Sequence, residues 1–309
     1  MDTILRVLQV VAPIFTAIFL GMIAKKNGML TRQEVQGFQQ FVMKFALPCV
    51  VFQSCLTADM GMESLSSMAM VLPAIVISSL WAFRARNRMF PYHNLPMLFS
   101  AQETGMLGIP LVMILFGAEH TYRMGILDLT QAVIAYPVIA ILTSDTGENP
   151  SVPELVKKVL SSPLLIMSLL GLALNLTGIG GWMESIGIRA VITECTGFLS
   201  QPISALMLFS VGFNFSLSAE SRGPVFRITL IHFGMFAVFC TVMQLLLCLI
   251  PGVDVVTRWI LLLYCALPAS YLSPGLGRSE EDSMMASGVC SVLTVGCLLV
   301  VCIMAAILV

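Results

Sequence analysis

Two charged side chains are singled out within long apolar stretches of the sequence, where an ion is costly. Glu103 stands in AQETGMLGIPLVMILFG, two residues before Gly105. Burial favours the protonated form of a carboxyl group, so Glu103 is a candidate proton carrier or substrate contact, and otherwise a structural acid. Lys44, four residues before Pro48, is the only basic residue well inside such a stretch. It is a candidate counter-ion for Glu103 or for an anion, unless its long side chain reaches the membrane surface.

Glycine and proline cluster beside Glu103 and again in a second apolar stretch, CALPASYLSPGLG. The residues are Gly105, Gly108 and Pro110 in the first stretch and Pro268, Pro274 and Gly275 in the second. Proline removes a backbone N–H group and clashes with the preceding turn, and glycine weakens a helix further. Both stretches should therefore break. At membrane depth, unwound backbone is tolerated only where it lines a cavity or is buried in protein, and its free N–H groups would suit an anion.

The two broken stretches and nearby polar residues form a candidate substrate site. Its members are Gln53, Glu103, Thr104, Gly105, Gly108, Pro110, Asn214, Pro268, Ser270, Ser273 and Pro274. Gln102, Ser287 and Ser291 are further candidates for the cavity lining. The alternative is a pair of kinked helices with no ligand, in which the polar residues serve as helix–helix contacts.

Sequence signals for metal, cofactor or enzymatic chemistry are lacking. The nine cysteines and three histidines contain no CxxC pair and no cluster with metal-ligand spacing. GxSxG, HExxH and phosphate-binding loops are also missing. We therefore predict no cofactor, no metal and no enzymatic activity, with the cysteines acting as small packing residues. The net charge of −1 gives no indication of a nucleic-acid partner.

The elements that carry these residues must lie in lipid. Of the 309 residues, 58% are hydrophobic and 11% are charged, against roughly 25% charged in a soluble domain, and the mean hydropathy is +0.94. A membrane-spanning helix needs ~20 mostly apolar residues. We predict an all-α polytopic membrane protein with ten spanning segments. They are 4–24, 35–57, 67–83, 96–116, 124–143, 163–181, 190–216, 226–250, 256–276 and 284–308.

The distribution of basic residues predicts the orientation in the membrane. Lys25 and Lys26 follow the first apolar segment, whereas a signal peptide carries its positive charge before that segment. Cytoplasmic loops are enriched in Lys and Arg. With the N-terminus outside, most basic residues fall in inside loops. We therefore predict a multi-pass protein of the cytoplasmic (inner) membrane with both termini outside.

The chain also repeats itself. Pro13, Gly21 and Gly28 around segment one have the same spacing as Pro163, Gly171 and Gly178 around segment six. Prolines match in order between segments two and seven and between segments four and nine. This predicts two five-helix repeats, 1–143 and 163–309, joined by a cytoplasmic linker, 144–162, that contains an amphipathic stretch at 153–160. Because five is odd, the repeats are inverted, with segments four and nine as broken crossover helices. Inverted repeats are typical of secondary transporters.

Three motifs carry a resemblance to a known family, over essentially the whole length. TGMLGIPL (Thr104–Leu111), SPLLIMSLLGLALNLTGI (Ser162–Ile179) and ALPASYLSPGL (Ala266–Leu276) resemble the auxin efflux carrier family of bacterial and plant transporters. The resemblance implies ten helices in inverted repeats, a scaffold domain and a transport domain, and segments that cross at Pro110 and Pro274. It also implies transport of organic anions, auxin in plants and dicarboxylates such as malate or malonate in bacteria. Glu103 stands where the family often has Asn, which makes proton linkage more plausible.

The predicted function is secondary transport of a small organic anion, a carboxylate, by alternating access, with proton linkage left open. One alternative is a sodium-coupled symporter of the bile-acid type, which segment nine weakens because it offers no acid within its span. Another is a membrane sensor that uses a carrier fold without transport. The predicted partners are the anion and the lipid bilayer, with a homodimer among the open oligomeric states.

Overall fold

Helices make up most of the part that the computed structural model describes, residues 2–58, 62–144, 163–215, 222–250 and 252–308. The first half contains helices α1 (Asp2–Lys26), α2 (Arg32–Phe41), α3 (Leu47–Thr57), α4 (Met62–Arg88), α5 (Leu95–Leu98), α6 (Ile109–Phe116) and α7 (Thr121–Ser144). The second half contains α8 (Pro163–Leu176), α9 (Ile179–Ser185), α10 (Ile188–Ser200), α11 (Ile203–Asn214), α12 (Arg222–Leu247), α13 (Val255–Ala266) and α14 (Glu280–Leu308). Two π-helical turns, Val42–Ala46 and Thr104–Gly108, and two 3-10 turns, Ala118–His120 and Ser273–Leu276, complete the described elements.

Six described helices are long and apolar enough to cross a membrane. They are Leu8–Lys26, Arg32–Thr57, Leu65–Arg86, Ile188–Asn214, Gly223–Leu247 and Glu280–Leu308. The pair α8–α9, bent by 78°, would make a seventh span. The prediction of an all-helical, multi-pass membrane protein is thus confirmed. Segments four and nine, which the sequence predicted to be broken, are not among these long helices. Each consists of short helical elements on either side of an interruption.

Segment six differs from the prediction of one continuous span, 163–181. Gly178 follows α8 with φ +75°, a left-handed conformation that glycine adopts without strain and that ends a helix. Gly28 follows α1 in the same way, with φ +62°. The predicted linker, apart from Ser144, and its amphipathic stretch at 153–160 lie outside the described residues.

Spans two and seven are irregular at the prolines that the sequence singled out. In span two the π-helical turn Val42–Ala46 directly precedes α3, of which Pro48 is the second residue. In span seven α10 and α11 meet at Gln201 and Pro202. Proline lacks an N–H group and crowds the preceding turn. Both helices therefore depart from regular α-helical hydrogen bonding there.

Glycines let two pairs of helices pack with their backbones in contact. A methyl group on Gly21 of α1 would overlap the carbonyl oxygen of Phe209 in α11, and one on Gly212 of α11 would overlap that of Ile18. On Gly171 of α8, a methyl group would lie 2.5 Å from the carbonyl oxygen of Phe52 in α3. Small residues at helix contacts permit such close approach within membranes.

The interior of the protein is packed around the breaks in segments four and nine. Leu107, Ile109 and Leu267 are fully buried there, together with Leu263 of α13 and Val289 of α14. Large apolar side chains are instead exposed on α10 and α12, as expected where the neighbouring solvent is lipid. The breaks therefore lie deep inside the molecule, away from the lipid-facing surface.

Candidate functional site

The chains of segments four and nine cross at their breaks. Gln102 and Ala269 form an isolated antiparallel β-bridge. The Glu103 amide donates to the Pro268 carbonyl at 2.8 Å, and the Ser270 amide donates to the Ala101 carbonyl at 3.0 Å. Backbone groups released by the two breaks thus satisfy each other, as buried polar groups must.

This crossing corrects the prediction that the segments cross at Pro110 and Pro274. Pro110 is the second residue of α6, where a missing N–H group costs little, and Pro274 lies in the 3-10 turn after the crossing. In segment nine the chain crosses beside Pro268. In segment four it crosses beside Gln102, before the glycines and the proline begin.

Glu103 fixes both chains at the crossing. Its buried carboxylate accepts the Met106 amide at 3.2 Å, which caps the first turn of its own segment. It also accepts the Tyr271 amide of segment nine at 2.6 Å. The breaks were expected to leave N–H groups free for an anion, but the carboxylate of Glu103 accepts those of Met106 and Tyr271.

Lys44 lies apart from this carboxylate. Its side chain is exposed and contributes to the wall of the central cavity described below. No ion pair joins it to Glu103, and both residues belong to the described part of the chain. The predicted role as a counter-ion for Glu103 is therefore not seen, while contact with an anion stays a prediction.

A polar network from α7 holds the segment-four side of the crossing. The Thr104 hydroxyl donates to the Asp128 carboxylate. The side-chain oxygen of Gln131 accepts the backbone N–H of Gln102 at 2.8 Å. The side-chain nitrogen of Gln131 donates to the backbone carbonyl of Gln102 at 2.9 Å and to the Asp128 carboxylate at 3.1 Å. The Tyr264 hydroxyl of α13 donates to Gln131 at 3.0 Å. This network ties α7 and α13 to the crossing.

Sequence reasoning missed Asp128 and Gln131. Asp128 lies inside predicted segment five, 124–143, so the rule that singled out Glu103 as an intramembrane carboxylate would also have found it. Gln131 follows three residues later, on the same helix face. The composition of segment five carried this signal, whereas their convergence on Thr104 and Gln102 depends on the fold.

A cavity of about 800 Å³ adjoins the crossing. Of the predicted site residues, those in its wall are Lys44, Glu103, Thr104, Gly105, Asn214, Ser270 and Pro274, together with the further candidates Gln102, Ser287 and Ser291. Asp128, Gln131 and Tyr271 also line it. Arg32 and Lys44, both exposed, place positive charge on one wall, while Glu103 and Asp128 place acidic groups at the crossing.

The other predicted site residues lie outside the cavity wall. They are Gln53, Gly108, Pro110, Pro268 and Ser273. Gln53 donates to Thr193 at 2.9 Å, which is the helix–helix contact named as its alternative role. Gly108 packs behind the crossing, where a methyl group would lie 2.9 Å from a side-chain carbon of Leu267.

Two loops at one end of the interrupted segments are tied together. Buried Asn94 donates its side-chain amide to the carbonyls of Ser273 and Asp282, at 3.0 and 3.1 Å. The Asp282 carboxylate accepts the amides of His93 at 3.2 Å and Arg278 at 3.0 Å. The loop before segment four and the loop after segment nine therefore form one hydrogen-bonded unit.

Comparison with known proteins assigns this architecture to a class. The sequence profile of a protein family described as membrane transport protein matches residues 6–307 of this chain. The chain therefore belongs to that family and is a transmembrane transporter. The resemblance predicted from the motifs is confirmed.

A relative supports the same class. The chain is 25% identical, over 214 residues, to a protein of Methanothermobacter thermautotrophicus described as an uncharacterized transporter. The matched region covers 66% of this chain and 66% of that relative.

Proposed function

We propose that this protein is a secondary transporter that moves a small organic carboxylate across the cytoplasmic membrane by alternating access. The observation that carries the proposal is the crossing of two interrupted segments in the wall of the central cavity. Broken helices that meet at a cavity are the usual substrate site of such carriers. The proposed substrate contacts are Glu103, Thr104, Gly105, Asn214 and Ser270.

We further propose ten spans in two inverted repeats, 1–143 and 163–309, with 144–162 as the linker. The helix pairing supports this arrangement. Gly21 of span one packs on span seven, and its counterpart Gly171 of span six packs on span two. Gly28 and Gly178 both adopt left-handed conformations after these first helices. A pseudo-two-fold axis in the membrane plane would relate span one to span six and span two to span seven. The contact between spans one and seven would then correspond to the contact between spans six and two.

Alternating access would then divide the protein into two bodies. The close pairs α1–α11 and α3–α8 would form the scaffold, and the crossing segments with α7 and α14 would form the transport domain. The tie between Asn94 and Asp282 supports movement of the crossing segments as one unit. A homodimer through the scaffold remains part of the proposal.

The two acids at the crossing bear on the coupling ion. In a cavity of low dielectric, ionised Glu103 and Asp128 would repel a carboxylate substrate. Taking up a proton at Glu103 removes part of this repulsion, which favours proton linkage. Sodium coupling is the second candidate, because Asp128 supplies the additional acid that the sequence of segment nine lacks.

Uptake by purified protein in liposomes tests the proposal. We expect labelled butanoate or malate to accumulate under an inward proton gradient, and Glu103→Gln, which is permanently neutral, to lose the dependence of uptake on pH. Glu281→Gln is the matched control, because Glu281 is exposed and outside the cavity. A wild-type pH profile in Glu103→Gln would exclude the proton role. Uptake that requires Na⁺ would favour the second candidate, and no uptake of any carboxylate would reject the function.

A further inference from the structure

Three sulfur-containing side chains meet between α12 and α13, and we call them the sulfur cluster. Its members are Cys240 and Met243 of α12 and Cys265 of α13. The Cys265 sulfur lies 4.0 Å from the Met243 sulfur, and the Cys265 thiol is also hydrogen-bonded to the Cys240 thiol. Because Cys240 and Met243 are three residues apart, they lie on one face of α12. Cys265 therefore faces both sulfurs of that helix.

The sulfur cluster lies at the edge of the apolar core. Cys265 and Met243 are only 6% and 4% exposed, whereas Cys240 is partly buried. All three side chains pack with the main hydrophobic core. Cys240 lies seven residues before Leu247, the last residue of α12, which is a distance of about 10 Å along the helix. Cys240 is therefore the member that a small ion would reach first.

The chemistry and the spacing of the sulfur cluster suit a soft metal ion. Thiolate and thioether sulfurs are soft ligands, and together they favour an ion such as Cu⁺. A metal–thiolate bond is about 2.3 Å long, so three such bonds at equal angles in one plane would place the sulfurs about 4.0 Å from one another. The distance between the Cys265 and Met243 sulfurs matches this value. An ion bound between them would therefore require little movement of either side chain.

The charge balance favours a monovalent ion, because an unpaired charge in apolar surroundings is costly. If one cysteine thiol releases its proton to water, the resulting thiolate balances the single charge of Cu⁺, while the other thiol and the Met243 thioether bind as neutral ligands. A divalent ion such as Zn²⁺ would need both thiolates and, in most sites, a fourth ligand. The described residues contain no group of three His, Cys, Asp or Glu side chains suited to a metal ion, so those further ligands are not at hand.

We propose that Cys240, Met243 and Cys265 form a binding site for a soft monovalent metal ion of the Cu⁺ class. The site is separate from the central cavity, whose wall contains none of the three residues. Cys265 lies three residues before Pro268, whose carbonyl accepts the Glu103 amide at the crossing. A bound ion would join α12 to the end of α13 and hold segment nine where it enters the crossing. The proposal adds to the transport function and does not depend on it.

Calorimetric titration of the purified full chain with Ag⁺, an air-stable analogue of Cu⁺, tests the site. The starting variant keeps Cys240 and Cys265 and has alanine at the other seven cysteines. We expect it to bind one Ag⁺, to release about one proton, and to unfold at a higher temperature with Ag⁺ than without it. Loss of an outer-shell partner alone weakens metal binding about 10–100-fold, so Cys265→Ala should weaken Ag⁺ binding by about a hundredfold or more. Met243→Leu should weaken it by about tenfold, and Met304→Leu, a buried control on α14, should preserve it.

A comparison in the wild-type background keeps the test decisive if the starting variant does not fold. Cys265→Ala and Cys297→Ala each remove one buried thiol, and only Cys265→Ala should lose one equivalent of bound Ag⁺. Equal Ag⁺ binding by these two variants would overturn the proposal. An unchanged affinity in Met243→Leu, or Zn²⁺ binding as tight as that of Ag⁺, would overturn the assignment to a three-sulfur site for a soft monovalent ion. None of these measurements uses uptake, so a failure here leaves the transport proposal standing.

Discussion

At the scale of single residues, the Glu103 carboxylate holds the two crossing chains and is also the proposed substrate contact and proton carrier. It accepts one amide from each crossing chain, Met106 and Tyr271. A buried N–H group without an acceptor costs ~1–3 kcal/mol. The same carboxylate faces the central cavity, where a substrate would meet it.

Removing this acceptor should destabilise the crossing. We expect Glu103→Ala to lower the free energy of unfolding by about 2–4 kcal/mol, because two part-buried amides lose their acceptor at ~1–2 kcal/mol each. Glu103→Gln should lose less, since its amide oxygen can still accept one of them. Thermal unfolding of wild type and both variants, purified in one detergent, measures their relative stability. Equal stability of the alanine and glutamine variants would contradict the prediction.

The carboxyl group of Asp254, in the loop before α13, should make the stability of the folded protein depend on pH. Partial burial raises the pKa of Asp254, but hydrogen bonds from Arg123 and the Val256 amide and the Arg123 charge together lower this pKa below its ordinary value. The Arg123–Asp254 ion pair, at 2.7 Å, should therefore stabilise the folded protein fully above the unfolded-state pKa of about 3.9. That stabilisation should be lost as the pH falls through the lower folded-state value.

Asp254→Asn isolates this charge, because asparagine can still cap α13 through the Val256 amide. The Asp254 side chain is 41% exposed, so we expect a loss of only ~0.2–1 kcal/mol at pH 7. The difference from wild type should vanish as the pH falls below about 3.9. Unfolding midpoints between pH 7 and pH 3 measure it, and a difference that grows toward pH 3 would contradict the assignment.

At the scale of elements, the glycines that indicated the repeat lie at helix contacts that the sequence did not predict, whereas the prolines assigned to the crossing lie away from it. The matched residues Gly21 and Gly171 do lie where backbones touch. Pro110 and Pro274 do not lie at the crossing, because Pro110 is accommodated in the first turn of α6. The break beside Gln102 depends on side chains from α7 and on the opposing chain at Ala269. Those partners are distant in sequence, so local patterns could not reveal them.

The two helix contacts should tolerate no added side chain. We expect Gly21→Ala and Gly171→Ala each to cost ~1–3 kcal/mol, because a methyl group there meets backbone that cannot move aside. Gly197→Ala in α10 is the control, since its methyl group would enter open space and alanine favours a helix interior. Thermal stability of the three variants tests this, and a stable Gly21→Ala would argue against the close packing.

At the scale of the whole molecule, charge and shape suggest which side of the membrane the central cavity faces. The exposed residues Arg32, Gln36 and Gln40 of α2 line it, and Lys25 and Lys26 precede them at the end of α1. By the positive-inside rule, we expect this basic region on the cytoplasmic side. The structure would then represent an inward-open state.

Thiol labelling tests this orientation and the movement together. In a variant without native cysteines, Gln40→Cys should react with a membrane-impermeant maleimide in inside-out vesicles only. Ser185→Cys, at the end of α9, should react in right-side-out vesicles only. A transported carboxylate should slow the reaction at position 40, because an occupied site shields the cavity or shifts the carrier outward, and it should leave position 185 unchanged. If Gln40→Cys reacts in right-side-out vesicles only, the orientation is the opposite of the predicted one. If substrate does not change its labelling rate, the central cavity takes no part in transport.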